Sequence, residues 1–285
     1  MMASLDAHLA GEGRAPAQRP YPAALLLSKN LGHSGKPLLP IERIPIDAPY
    51  DAGWCIKAAW EWWEKVYGDQ VKIDFSPGSV VFRMRGLMWR MRMPRAHGTV
   101  GFFVDKDLQN QGLALAKVGG PPASVNMLCS VVGLTPDLAA RLHDDEIALV
   151  VETFNRGYRA VLRLESLTGD DFFGQAINEY RSSIDSLLAA SWPQARRTTA
   201  SCAEMVFKGM LRKAGKRFPT SGKDGHDIPL LGFQVAAMTR VTFNVAALVA
   251  IHCSTDIRYI KEPATADNAL LAHRSLLEIL NTLRT

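Results

Sequence analysis

The chain has 285 residues, 47% of them hydrophobic, and carries a formal net charge of +5 with a sequence pI near 9.1. This length is enough for one large or two small globular domains. The mild basic charge is compatible with an anionic partner without specifying one. The wide spacing of the four cysteines excludes a zinc site of paired thiolates and predicts reduced thiols; they are Cys55, Cys129, Cys202 and Cys253.

Neither a secretory signal nor a membrane span is predicted. Residues 1–20 contain several charged side chains and no apolar core. The most apolar stretch, residues 232–253, is interrupted by Gln234, Arg240 and Asn244, whereas a membrane span needs about 20 predominantly apolar residues. We therefore expect a cytoplasmic protein with no membrane contact.

The N-terminal region is predicted to be an arm followed by a helix. Residues 1–45 are rich in Ala, Gly and Pro and lack sustained periodicity, which predicts a flexible or loosely packed arm. The apolar run at residues 23–27 leaves open a second possibility, that the arm wraps the domain. Asp51 then caps a helix that ends near Tyr67. The spacing of its apolar residues favours packing on a sheet over an aromatic platform for nucleic-acid bases.

An α+β domain with a small antiparallel sheet is predicted over residues 46–165. Residues 80–93 predict a hairpin in which Gly86 and Leu87 form a two-residue turn. In that register the apolar side chains lie on one face of the hairpin. The opposite face gathers four arginines, which are Arg83, Arg85, Arg90 and Arg92.

This arginine face has two interpretations. Arg83 lies directly opposite Arg90 in the predicted register, and like charges that face each other across strands are destabilising. The arginines therefore contact an anion, such as the phosphates of a nucleic-acid backbone, or they are neutralised by Asp74 or by carboxylates of a neighbouring helix. Both interpretations stay open at this stage.

Further elements complete the prediction. Strands are expected at residues 71–75 and 98–104, and a helix is expected to begin at Pro136 and continue to about residue 157. From residue 166 onward the pattern predicts a separable bundle of amphipathic helices. The four expected helices span about residues 168–191, 192–215, 229–251 and 265–283.

The segment FPTSGKDGHDIPLL, residues 218–231, joins the second and third of these helices. A phosphate-binding loop needs an upstream Gly and a Ser or Thr after its Gly-Lys pair; here Lys223 is followed by Asp224, and the upstream Gly is absent. His226 and Asp227 have no further metal ligands nearby, so we predict neither a metal nor a cofactor. They satisfy the backbone of the helix end, or they place an anion at its positive dipole.

The helical half, about residues 168–285, resembles the HEPN family. The family motifs are an Ala-Glu pair and a Lys on the second helix, a His-Asp pair before the third and an Arg-Tyr pair before the last. The matching residues are Ala203, Glu204, Lys208, His226, Asp227, Arg258 and Tyr259.

The resemblance implies an antiparallel four-helix bundle that forms a homodimer. Family members include metal-independent ribonucleases of toxin and phage-defence systems, and also RNA- or nucleotide-binding modules without catalysis. In the ribonucleases four to six residues separate the Arg from a following His, but residues 263–265 are Pro, Ala and Thr here. The resemblance therefore implies binding without the usual catalysis.

We expect an RNA-, nucleotide- or partner-binding regulatory protein of a prokaryotic defence or toxin–antitoxin type. Lys208 and Lys223 join the four arginines as predicted anion-binding residues. One alternative is a ribonuclease with a rearranged site, in which His226 transfers a proton and Arg258 holds the phosphate. Another is a purely structural subunit of a larger assembly. The expected partners are RNA or a nucleotide, a protein partner and a second copy of the chain bound through the bundle.

Overall fold

The protein divides into two compact units, residues 1–75 and residues 76–285. The computed structural model describes residues 1–32, 52–68, 76–95, 99–112, 122–219, 224–254 and 263–283. The described helices of the first unit are α1 (Met2–Gly11), α2 (Pro20–Asn30) and α3 (Ala52–Tyr67).

The first unit is a small helical core. Ala24 on α2 and Trp63 on α3 are fully buried, and Leu9 on α1 joins them. Two helices therefore lie within residues 1–32, where an arm without periodicity was expected; the run of Ala and Leu on α2 favours a helix. The apolar stripe of α3 is core, as predicted, and among the described residues of the first unit it is α2 that covers it.

The second unit combines strands and helices. Its strands are β1 (Gly78–Met84), β2 (Leu87–Met93), β3 (Val100–Phe103) and β4 (Ala123–Asn126). Its described helices are α4 (Pro136–Ala140), α5 (Asp144–Ser166), α6 (Asp171–Leu188), α7 (Trp192–Lys213), α8 (Ile228–Thr239), α9 (Val245–Ile251) and α10 (Ala266–Thr282). Together they give the α+β class that was predicted. Within the described ranges no helix is long and apolar enough to cross a membrane.

The hairpin of β1 and β2 turns one residue earlier than predicted. Arg85 and Gly86 occupy the turn with φ values of 53° and 79°, the pattern of a type I′ turn, whose twist matches that of the flanking strands. The shift preserves the alternation of faces but changes the cross-strand partners. Arg83 now pairs with Met88, and Arg90 pairs with Val81, so the predicted opposition of two arginines is wrong.

The hairpin packs into the helical core of the second unit. The Tyr180 hydroxyl on α6 donates to the Ser79 carbonyl at 2.7 Å. Val80 lies against Gly157 of α5, where an added Cβ would be 2.7 Å from a Val80 methyl. The Val81 amide donates to His273 Nε2 on α10 at 3.2 Å. The predicted domain boundary at residue 165 thus runs through a continuous core.

Several predicted elements have different limits. The single helix expected from Pro136 is two helices, because residues 141–143 break it and the His143 amide donates to Glu146 Oε2 at the start of α5. The expected third bundle helix is interrupted at Arg240, which has a left-handed backbone with φ of 56°. The last helix begins where it was predicted, and Thr265 caps it.

The sheets also differ from the prediction in one respect. β3 pairs with β4 in parallel, whereas an antiparallel sheet was expected throughout. The strand predicted at residues 71–75 lies outside the described residues.

Helix α7 is the central helix of the second unit, since it packs against α6, α8, α9 and α10. It runs antiparallel to α6, because a three-residue turn connects them and Gly209 meets Phe173. From Glu204 to Phe207 along α7, the contacts advance from His226, just before α8, to Gly232 on α8, so α8 runs in the same direction as α7. That direction differs from the expected antiparallel bundle.

Candidate functional site

Two charged residues lie in the buried middle of α7. Glu204 and Lys208 are 3% and 4% exposed, because neighbouring helices cover α7 on most sides. Their four-residue spacing places them on one face of the helix, and Lys208 Nζ donates to Glu204 Oε1 at 2.8 Å. A lone buried charge is costly, so each of the two side chains compensates the other.

His226 completes this group from a different element. A short 3₁₀ turn, Asp224–His226, precedes α8 and brings the imidazole over α7. His226 Nδ1 lies 2.9 Å from Glu204 Oε2, so one carboxylate binds both Lys208 and His226. The His226 side chain is 46% exposed, and no hydrogen bond joins its Nε2 to any residue that the structure describes. We call these three residues the EKH cluster.

Asp227 has a separate role from its neighbour. Its Oδ1 accepts a hydrogen bond from the Leu230 amide at 2.9 Å and so caps the start of α8. The sequence left two interpretations of the His-Asp pair open, a cap of the helix end or a site for an anion. Asp227 is the cap. His226 instead contacts Glu204.

The EKH cluster has the chemistry of an oriented histidine. When Nδ1–H donates to the carboxylate, the neutral ring keeps its lone pair on Nε2. Such a nitrogen accepts a proton, and after protonation it donates to an oxyanion. The described ranges contain no group of three His, Cys, Asp or Glu side chains that could hold a metal ion.

The predicted anion-binding lysines are not placed as expected. Lys208 is buried, and its ammonium faces Glu204 rather than an external anion, because its position on α7 is covered by neighbouring helices. Lys223 and the predicted catalytic Arg258 lie outside the described residues. His226 is therefore the predicted catalytic residue whose surroundings the structure describes.

Ion pairs join Arg83, Arg85 and Arg90 of the hairpin to carboxylates. Arg83 contacts Asp267 at 2.7 Å, Arg85 contacts Glu146 at 2.6 Å and Arg90 contacts Asp185 at 2.5 Å. All three acidic residues lie on helices, as the second interpretation of the arginine face requires. Arg92, the fourth, is exposed.

The Arg85–Glu146 pair is the best defined of these contacts. Arg85 donates from Nε and Nη2 to the two oxygens of Glu146, a bidentate geometry that fixes the arginine at the hairpin turn. These hydrogen bonds, together with the His143 amide, lower the pKa of Glu146 to about 2. Glu146 therefore stays ionised throughout the neutral range.

Sequence reasoning did not assign Glu204 as the partner of His226. The signal available was a Glu and a Lys four residues apart within the apolar stretch CAEMVFKGML, a spacing typical of an ion pair on a buried helix face. Their separation from His226 along the chain gave no sign of the contact.

Comparison of the chain with protein-family models, with curated proteins and with solved structures finds no match. Function is therefore inferred from the geometry of the site.

Proposed function

We propose that the protein is an HEPN-like RNA-binding regulatory protein whose EKH cluster contacts the RNA backbone through His226. One observation carries the proposal: a buried carboxylate holds an imidazole that is nearly half exposed and whose Nε2 is unpaired among the described residues. Burying Glu204 and Lys208 costs desolvation energy. A function of the histidine that Glu204 orients would explain why the chain keeps this buried ion pair despite the desolvation energy.

Two further features support an RNA ligand. Residues from two of the motifs that carry the HEPN resemblance, Glu204 with Lys208 and His226, meet in one cluster although they come from separate elements. Exposed cations lie at the C-terminal end of α7, at Lys213, and just beyond it, at Lys216, and phosphate contacts supply much of the affinity for nucleic acids.

The test is a comparison of two histidine variants. Fluorescence anisotropy with a labelled single-stranded RNA measures the Kd of the wild type, of His226→Ala and of the control His8→Ala, an exposed histidine of the first unit. We expect His226→Ala to raise Kd at least about fivefold, the loss of one charge-assisted hydrogen bond, and the control to bind as the wild type does. Equal affinity of all three proteins would remove His226 from the site.

A second candidate function is endoribonuclease. It is favoured by the Glu204–His226 contact, because a carboxylate that orients an imidazole is a recurrent arrangement for proton transfer. Arg258 is the predicted partner for the scissile phosphate. Since the chain lacks the His that family ribonucleases place after this Arg, we expect no robust RNA cleavage by the protein alone in EDTA. Cleavage that both His226→Ala and Arg258→Ala abolish would replace the binding function with this one.

A further inference from the structure

A groove of about 600 Å³ lies between the tip of the β1–β2 hairpin and the turn that joins α6 to α7. Its walls carry large apolar side chains, with Leu87 and Val132 on the hairpin side and Leu188 and Trp192 on the helix side. Leu87 and Val132 are 62% and 41% exposed. Exposed apolar side chains that share a groove are typical of an interaction site. The polar groups that face the groove determine the kind of partner that fits.

The outer edge of β2 is paired over only part of its length. Val131 bridges Met91 in antiparallel orientation, and the Val132 amide donates to the Arg90 carbonyl at 2.9 Å. The chain then turns away at Gly133, which has φ of 81°. Among the described residues, the position beside β2 is therefore filled along its second half and vacant toward the hairpin turn.

Met88 presents two backbone groups at this vacant edge and lines the groove. The Arg90 carbonyl faces Val132, so it points away from β1. Backbone groups of alternate residues on an antiparallel strand point in the same direction, so the amide and the carbonyl of Met88 also point away from β1. Neither has a hydrogen-bond partner among the described residues. Open edge groups of this kind are a template for a further strand.

The helix side of the groove is positively polarised at the start of α7. Ser191 precedes α7 without capping it, and the first turn contains no acidic residue. The amides of Trp192 and Gln194 have no acceptor in the part of the chain that the structure describes. A helix N-terminus favours a carboxylate in this position. Asp185, near the end of α6, does not oppose such a charge, because Arg90 neutralises it.

We propose that this groove binds an extended segment of a partner protein, which adds a strand to the edge of β2. The segment runs antiparallel to β2, because it continues the strand position that Val131 and Val132 begin. It exchanges hydrogen bonds with Met88, places an apolar side chain on Leu188 and Trp192, and carries an Asp or Glu whose charge faces the start of α7. In strand addition, backbone hydrogen bonds supply affinity and side-chain pockets supply specificity.

A phage-displayed library of random octapeptides, selected on the full chain, tests the proposal. We expect enriched sequences in which β-branched or aromatic residues alternate with polar ones and which contain an Asp or Glu. The most enriched sequence is then synthesised with a fluorescent label. Fluorescence anisotropy should give a Kd of about 10 μM or below.

Two variants at one position connect this binding to the strand edge. Met88→Pro removes the outward amide hydrogen and leaves the ladder to β1 intact, since proline is tolerated where the amide faces away from the sheet. It should weaken peptide binding at least about tenfold. Met88→Ala is the matched control: it shortens the same side chain but keeps the amide, and it should bind within about twofold of the wild type.

The apolar wall and the charge are tested separately. Leu87→Ser should weaken binding about threefold or more by removing apolar surface at the rim, whereas Val66→Ser, a change at an exposed apolar residue of the first unit, should have no effect. Replacing the acidic residue of the peptide by its amide should weaken binding about threefold, as expected for a charge at a helix N-terminus.

The proposal is overturned if selection enriches no sequence, or if the enriched peptide binds Met88→Pro as tightly as Met88→Ala. Thermal melts show whether lost binding reflects unfolding, and the exposed Leu87 provides the decisive variant if Met88→Pro unfolds. Sedimentation velocity identifies another occupant: a wild-type dimer that Met88→Pro dissociates would assign the groove to a second copy of the chain and overturn the proposal. His226→Ala should leave peptide binding unchanged, so this proposal and the RNA proposal fail separately.

Discussion

The buried His273 predicts a loss of stability in mild acid. This side chain is fully buried on α10, its Nε2 accepts the Val81 amide hydrogen, and its Nδ1 has no hydrogen-bond partner among the described residues. Burial, with a smaller contribution from the positive charge of Arg274, lowers the pKa of His273 from 6.5 to about 3. A proton on Nε2 would also place two donors, the ring N–H and the Val81 N–H, against each other.

The size of the effect follows from proton linkage. Below pH 6.5 the unfolded chain binds a proton at this histidine that the folded chain does not bind, so stability is complete above that pH and is lost as the pH falls toward 3. Between about pH 7 and pH 5 the loss is about 2 kcal/mol. For a unit of about 200 residues this lowers Tm by roughly 4–8 °C.

Urea titrations at about pH 7, 6 and 5, followed by circular dichroism, measure this loss in the wild type and in His273→Gln. The glutamine retains an acceptor for the Val81 amide and does not titrate. We expect the variant to lose about 2 kcal/mol less than the wild type over this range. The difference between the two proteins isolates His273, because all other titratable groups are shared. Equal losses would refute the assignment of a buried neutral histidine.

Three further outcomes are expected. Lys208→Met removes the counter-ion of a buried carboxylate and should lower the free energy of unfolding by about 3–5 kcal/mol in urea; an unchanged value would contradict the ion pair. Changing Arg83 and Arg90 to Ser should leave RNA affinity and its salt dependence unchanged, because carboxylates already neutralise both; a slope reduced by about 1–2 would assign them phosphate contacts. A fragment of residues 166–285 should melt without cooperativity, whereas residues 76–285 should melt cooperatively; a cooperative shorter fragment would show that the bundle folds without the hairpin.

The sequence predicted correctly those features that depend on a few neighbouring residues, such as helix starts. Pro136 and Thr265 mark helix starts that the structure has, since capping depends on neighbouring backbone groups. The apolar face of the hairpin was also predicted, because alternation along a strand needs no knowledge of the partner. The opposite face is less polar than predicted, since Val81 on it is buried and Arg85 lies in the turn. The turn was displaced by one residue, because Gly86 suits either position of the turn and an Arg at positive φ is uncommon.

Tertiary contacts decided the features that local signals missed. The hairpin and the helical half read as separate domains along the chain, yet Tyr180 and His273 bind the backbone of β1. Hydrogen bonds of this kind join residues about a hundred or more positions apart, and no periodicity encodes them.

The sequence predicted only part of the EKH cluster, because its members also come from separate elements. The sequence places His226 at a helix start, where an external anion and the helix backbone compete as partners. It does not show that Glu204, 22 residues earlier, supplies the carboxylate, because that requires α8 to follow α7 in the same direction. Once that direction is fixed, Lys208 cannot serve as a surface cation: its charge is needed inside to balance Glu204. His226 is therefore the residue of the EKH cluster that we expect to contact a ligand, because its ring is exposed to solvent whereas Glu204 and Lys208 are buried.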